Sequence, residues 1–272
     1  MLFKDFIFSI KNICISFIEK KKIKKIFNIF FTYIYKYFFL ELFLYNFFYK
    51  KNLDTYKKQD ETFLKKDLDF YFLHFNSLKI EHAYSQFYNK FFDKIRKKNL
   101  NIMEIGLAKG DGIASFYYYF PNSYFIGLDN NPFRCRYKSK KFRNIFIDIA
   151  SEKIITNLIN HLNLKFDIII EDCSHKLIDQ IFSFKYFFNN LRPGGYFIVE
   201  DLNFPELSSS FNPTNDPTNL KIILNAIKNK THINSPYINR EKFAELCSNI
   251  ENINFFKGTG DHSEIAFIKK KL

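Results

Sequence analysis

Apolar residues recur along this chain in short continuous runs, each followed by a polar break and then a longer stretch with helical spacing. The runs at 101–105, 124–128, 144–147, 166–170 and 196–199 read as strands. Being apolar at nearly every position, they read as strands buried on both faces. The stretches 83–97, 113–120, 151–162 and 177–191 carry apolar residues at the three-to-four spacing of helices. Strands alternating with helices predict an α/β fold with a doubly wound, mostly parallel sheet. The Arg192-Pro193-Gly194-Gly195 sequence reads as the turn before the last of these strands. Helical patterns follow at 219–228 and 240–249. Gly258-Thr259-Gly260-Asp261-His262-Ser263 then reads as a turn into an antiparallel edge strand at 264–268, with His262 a surface turn residue.

The N-terminal sixty residues follow another pattern. Positions 26–49 are almost all apolar and aromatic, a length that suffices to span a bilayer. Lys36 and Glu41 fall near the middle, where each costs about 2.5–3.5 kcal/mol on insertion scales. Ile26, Phe27, Phe30, Phe31, Ile34 and Tyr35 have helical spacing, and no small-residue cleavage site follows. The region therefore reads as a helical extension of basic amphipathic helices over residues 1–60. These would cover the domain at 61–272 or a second subunit, giving a homo-oligomer. Peripheral membrane contact stays open, because basic, aromatic-rich helices also suit an anionic surface. The charged stretch 50–69 lacks a period and reads as the linker.

Charge changes this picture little. Of 272 residues, 41 are Lys or Arg and 28 Asp or Glu, for a net charge of +13. That invites a nucleic-acid partner. However, the lysines are scattered, or clumped at 20–25 and 269–271, and abundant Phe, Tyr, Asn and Ile with no Trp point to AT-rich codon pressure. No nucleic-acid partner is expected. Four cysteines without C-x-x-C spacing suggest a reducing, cytoplasmic setting, with neither a disulfide framework nor a zinc site.

The most specific chemistry lies at Glu104-Ile105-Gly106-Leu107-Ala108-Lys109-Gly110-Asp111-Gly112, between an apolar strand and a helix. Glycines there let the backbone approach a ligand, and the free amides of the first helical turn point at it. Gly106, Gly110 and Gly112 form G-x-x-x-G-x-G, which is neither a dinucleotide fingerprint nor a P-loop. With Glu104 in front, the stretch resembles motif I of the class I S-adenosylmethionine-dependent methyltransferases. Four of the five strands end in an acid, at the sheet edge where such folds bind ligands. Asp129, about twenty residues past the glycine turn, is placed to accept ribose hydroxyls, or else caps the turn at Asn130-Asn131-Pro132. Asp148 either takes the adenine amino group or caps the helix starting near Ser151. Glu104 either bonds near the methionine amino group or fixes the loop.

The next two strand ends read Glu171-Asp172-Cys173-Ser174-His175 and Glu200-Asp201. Adjacent parallel strands lie about 5 Å apart, so Asp172, Glu200 and Asp201 can converge. Three carboxylates at one point repel unless a cation joins them, and hard oxygen ligands favour Mg²⁺ or a similar divalent ion. A hydroxyl held by such an ion loses its proton more readily. His175, three residues past Asp172, is within reach of that proton as a general base. Alone, it would read as a loop histidine.

Together with Leu191-Arg192-Pro193-Gly194-Gly195-Tyr196-Phe197-Ile198-Val199-Glu200-Asp201-Leu202, this pattern resembles the metal-dependent O-methyltransferases of natural-product biosynthesis. The group it most resembles is the macrolide-sugar enzymes of the macrocin and mycinamicin type, with the related cephalosporin-pathway enzymes. In that group the strand-four motif is usually D-D-G-S-H and the strand-five motif E-D. Asn76-Ser77-Leu78-Lys79-Ile80-Glu81-His82-Ala83-Tyr84 is similar to the family's S/T-D-K-x-x-H-x-Y stretch. The chain departs from the pattern where Cys173 replaces glycine, Glu171 replaces aspartate and Leu78 replaces an acid; the last weakens a cofactor role for Ser77 and Lys79. The resemblance covers about residues 76–269 and implies S-adenosylmethionine and a divalent cation as cofactors, with a small-molecule hydroxyl, on a sugar or polyketide, as acceptor. The loop at 203–217 is either a lid over that acceptor or a plain surface loop. Two other readings are an RNA methyltransferase, which would lack an N-P-P-Y/F motif here, and a membrane-associated binding module without turnover.

Overall fold

The computed structural model describes residues 2–19, 49–56 and 60–272. Among them, no helix is long and apolar enough to cross a membrane. In chain order the elements are α1 (Leu2–Glu19), β1 (Lys51–Asn52), α2 (Leu68–Phe75), α3 (Ser85–Phe92), β2 (Asn101–Ile105), α4 (Asp111–Tyr119), β3 (Tyr124–Asp129), β4 (Tyr137–Lys138), β5 (Phe142–Phe146), α5 (Glu152–Leu162), β6 (Phe166–Glu171), α6 (Leu177–Phe187), β7 (Leu191–Val199), α7 (Phe204–Leu207), α8 (Leu220–Asn229), α9 (Arg240–Asn249), β8 (Ile250–Lys257) and β9 (Glu264–Lys270).

The main sheet has seven strands in the order β5-β3-β2-β6-β7-β9-β8. The first five are parallel; β9 runs antiparallel to β7, and β8 antiparallel to β9. Neighbouring residues of one strand feed opposite faces. Met103, Ile126, Ile169 and Phe197 pack among α5, α6 and α8. Ile102, Phe125, Ile168 and Ile198 pack among α2, α3 and α4. This two-sided burial is what the continuous apolar runs require. Strand order reverses between β2 and β6, which opens a crevice at their carboxyl ends.

Three expectations need correction. The edge strand of the antiparallel end is β8, and β9 lies inside it. The strand β8 follows α9 without a break, so no turn residue announces it. Arg192 to Gly195 is part of β7 rather than a turn before it; the pairing jumps from Phe166↔Leu191 to Ile168↔Tyr196, so these residues form a bulge. The described residues of the stretch 50–69 are packed and are not a linker. Lys51 and Asn52 pair with Tyr137 and Lys138, and Leu53 and Phe63 are buried. The single Tyr118 hydroxyl proton is shared between the carbonyls of Leu53 at 2.8 Å and Tyr56 at 2.6 Å. Asp67 caps α2 by accepting from Phe70 N.

Helix α1 lies along β5, with Asp5 paired to Arg143. Most of the apolar run at 26–49, positions 26–48, lies outside the described residues. All four cysteines are free thiols.

Candidate active site

The crevice is built first from backbone. After β2 the chain turns at Gly106, whose φ is +93° and whose N–H donates to Leu128 O at 2.7 Å. A Cβ at Gly106 would lie 1.9 Å from the Asp172 carbonyl oxygen, so only glycine lets these two loops meet. Gly110, at φ +86°, starts α4. At Gly112 a Cβ would meet Lys79 Cε at 2.6 Å and Glu104 Oε1 at 2.7 Å.

Asp129 clasps this loop. Its Oδ2 accepts from Leu107 N and Ala108 N, both at 2.9 Å, and its Oδ1 from Asn131 N at 2.7 Å. It therefore fixes the loop and the following turn, and it also lines the cleft with Gly106, Ala108, Asp148 and Asp172. Asp148 accepts from Ala150 N and from Ser16 Oγ. Helix α5 is capped by Ser151, whose side chain accepts from Ile154 N, so the cap once open to Asp148 is taken by another residue.

The other half of the crevice is built from side chains. Lys79, from the turn Leu78–Ile80, is buried with its ammonium against Asp172, 2.6 Å from Glu200 Oε2 and 3.2 Å from Glu104 Oε1. Tyr88 OH donates to Glu200 Oε1 at 2.5 Å, and Tyr84 OH donates to Asp201 Oδ1 at 2.6 Å. His175 Nε2 lies 3.9 Å from Asp172 Oδ1 and 3.8 Å from Asp201 Oδ2. Its ring leans on Phe204, with centroids 4.7 Å apart. Both His175 and Asp201 hold positive φ, 56° and 52°, in tight turns that fold the two strand ends towards each other.

Burial and charge shift these groups together. Burial pushes the Glu104 carboxyl up to about 7, against the pull of Lys79. Burial likewise raises Glu200 well above the ordinary carboxyl range, again opposed by Lys79. Asp201 is raised by burial and then by Asp172, with His175 pulling the other way. Lys79 itself is held well above the usual lysine range. Burial would lower it, but Asp172, Glu200 and Glu104 together outweigh that effect.

Asp172, His175 and Asp201 offer donor atoms that all lie within 4.8 Å of one another. Glu200 departs from the expected ligand set. It follows β7 directly, and the left-handed turn at Asp201 swings that carboxylate to His175 while Glu200 turns to Lys79 and Tyr88. The spacing of motifs did not reveal Lys79, Tyr84 and Tyr88 as members of the site. For Lys79 and Tyr84 the one signal was the 76–84 stretch, where both match the family's pattern; Tyr88 lies beyond it and had none.

No family model matches the chain. Over 128 residues it is 26% identical to the 8-demethyl-8-alpha-L-rhamnosyl tetracenomycin-C 2'-O-methyltransferase of Streptomyces olivaceus, covering 44% of this chain and 33% of that protein. Over 166 residues it is 24% identical to the demethylmacrocin O-methyltransferase of Streptomyces fradiae, covering 57% and 42%. The matches thus span less than half the length of these curated relatives. Among solved structures, the MycE methyltransferase from the mycinamycin biosynthetic pathway, in complex with Mg, SAH and mycinamycin VI, superposes with a TM-score of 0.61. That pair is 20% identical over 76% of this chain and 55% of the other. The likeness shows the fold, a Rossmann-like class I methyltransferase fold, and the chain resembles the macrocin and mycinamicin type.

Proposed function

We propose that this chain is an S-adenosylmethionine-dependent O-methyltransferase that uses Mg²⁺ or another divalent cation and methylates a hydroxyl of a small molecule, a sugar or polyketide natural product. One observation carries the reading. Asp172 lines the same cleft as Gly106, Asp129 and Asp148, and it also lies against His175 and Lys79. A nucleoside-sized cradle and a proton-handling acid cluster thereby share one backbone contact.

The residues suit both groups. The cradle is lined by Gly106 and by acids at two strand ends, which suit the hydroxyls and amino group of an adenosine. Asp129 and Asp148 would hold the nucleoside, and Glu104 would face the methionine end beside Gly112. Asp172 and Asp201 offer hard oxygens beside each other, with Glu200 close behind, a donor set for a hard divalent cation. When bound, that cation would supply charge that lowers the pKa of an acceptor hydroxyl.

The chain's own groups do the rest. Lys79 neutralises the acids from behind and keeps Glu104 and Glu200 from repelling each other. Phe204 braces the imidazole of His175. His175 Nε2 takes the hydroxyl proton as the oxygen forms its bond to the methyl carbon. The sulfur–methyl bond breaks, and its electron pair stays on sulfur. The products are a methyl ether and S-adenosylhomocysteine. Holding the two reactants in line supplies much of the acceleration.

The test is transfer of labelled methyl from S-adenosylmethionine to glycosides, polyketide alcohols, catechols and bulk RNA. Methylation of a small-molecule alcohol should vanish in EDTA and return with Mg²⁺. His175→Ala should lose about 10²–10⁴-fold in turnover while still binding metal and S-adenosylhomocysteine. Labelling of RNA alone, or full activity in excess chelator, would overturn the reading.

A further inference from the structure

Helix α1 carries a buried polar stripe, which is unusual for a helix lying against a protein core. Asp5, Ser9, Asn12 and Ser16 recur at helical spacing and are 3%, 3%, 1% and 8% exposed. Three of the four bond to groups along β5 and just beyond it. Asp5 accepts a fork from Arg143, Nε to Oδ2 at 2.7 Å and Nη2 to Oδ1 at 2.5 Å, and also lies 2.9 Å from His161 Nε2. Ser9 Oγ accepts from Phe146 N at 3.0 Å, covering an amide of the edge strand. Ser16 Oγ donates to Asp148 Oδ2. Phe8 adds a stacked contact with His161, ring centroids 4.1 Å apart.

The lengths match. From Asp5 to Ser16 the helix rises about 16 Å, and from Arg143 to Asp148 an extended chain advances about 16 Å. The helix therefore runs alongside β5 in fixed register, from an ion pair at the start of the strand to the cleft at its end. A polar stripe specifies this partner as an apolar one would not, because any slip leaves buried Asp5 and Arg143 unpaired.

We propose that α1 is part of the cofactor site, and that Ser16 is a positioning residue that holds the Asp148 carboxylate for the adenine. This rests on the reading of Asp148 given above. The N-terminal helix then acts in cis, and cofactor affinity depends on its being docked. Ser16 holds Oδ2 and the Ala150 amide meets Oδ1 at 3.3 Å, so the carboxylate lining the cleft is fixed in orientation.

Calorimetric titration of S-adenosylhomocysteine tests this on the full chain. Ser16→Ala should weaken binding about three- to tenfold, less than the full worth of a hydrogen bond to a carboxylate because Ser16 acts through Asp148. Ser16→Thr should restore it, and the affinity for Mg²⁺ should not change. In an Asp148→Ala background, Ser16→Ala should cost nothing further, because the group it positions is gone. Unchanged affinity in Ser16→Ala, with Asp148→Ala clearly weakened, would overturn the positioning role and leave the adenine reading standing. Unchanged affinity in Asp148→Ala would overturn both. A wild type that does not bind S-adenosylhomocysteine would remove the proposal together with the methyltransferase reading.

Discussion

The two halves of the crevice are held by different means. The cradle around Gly106 and Asp129 is fixed by backbone: glycine turns, amides of Leu107 and Ala108 on one carboxylate, and direct contact of the Gly106 and Asp172 loops. The acid end is fixed by side chains from far apart in the chain. Lys79 reaches Asp172 and Glu200 across 93 and 121 positions, and Tyr88 meets Glu200 across 112. The cradle needs only one charged side chain, Asp129, whose carboxylate is met by three backbone amides. The acid end depends on charge balance, since each buried carboxylate costs energy unless a cation or hydroxyl meets it.

Removing the central cation should separate the halves most strongly. Lys79→Met leaves Glu104, Glu200 and Asp172 without their shared ammonium. In chelator the variant should lose about 3–5 kcal/mol of unfolding free energy, the usual cost of breaking a buried pair. Added Mg²⁺ should recover more stability in the variant than in wild type, since it can supply the missing charge. A loss below about 1 kcal/mol in denaturant titration would mean that Lys79 is not the cluster's counter-charge.

A smaller effect is expected at Glu171, whose carboxyl burial pushes up to about 8, with Cys173 pulling it down and Asp172 pushing it further up. A folded-state value above the unfolded one means that the folded protein binds this proton more tightly. Its contribution is therefore full below the ordinary glutamate range and is lost as pH rises towards about 8. Metal-free wild type should lose thermal stability between about pH 4.5 and about pH 8 more steeply than Glu171→Gln, by about 2–4 °C per kcal/mol of difference. Parallel slopes would show that Glu171 ionises as freely in the folded protein as outside it.

The same contrast explains what the sequence made legible. The glycine turn and the strand-end acids are contiguous, so motif and periodicity located the turn from Glu104 to Gly112 beside Asp129; of these Gly106 and Asp129 line the cleft, while Glu104 and Gly112 meet Lys79 and Gly110 packs on Cys135. Motif and periodicity also brought Asp172, Glu200 and Asp201 to one point with His175 in reach, of which Glu200 turns instead to Lys79 and Tyr88. Lys79 and Tyr88 sit in short helical segments whose spacing says nothing about partners a hundred residues away. The role of Asp148 was left even between two readings, and Ser151 decided against the cap. Helices covering the domain or a second subunit were expected at the N-terminus, but the register of α1 on β5 was hidden, because Asp5, Ser9 and Ser16 set it and amphipathic reading seeks an apolar stripe. The bulge in β7 and the strand β8 escaped for local reasons. Arg-Pro-Gly-Gly is turn chemistry that a neighbouring strand overrides, and β8 starts where α9 stops.

The most direct measurement is the melting temperature with S-adenosylhomocysteine, NAD and ATP in parallel. At about a hundredfold excess over its dissociation constant, S-adenosylhomocysteine should add about 2.7 kcal/mol, which amounts to about 5–10 °C for a domain of this size. Asp129→Ala should remove most of that rise, while NAD and ATP should give little with either protein. An equal rise with NAD, or no rise with S-adenosylhomocysteine, would contradict the account.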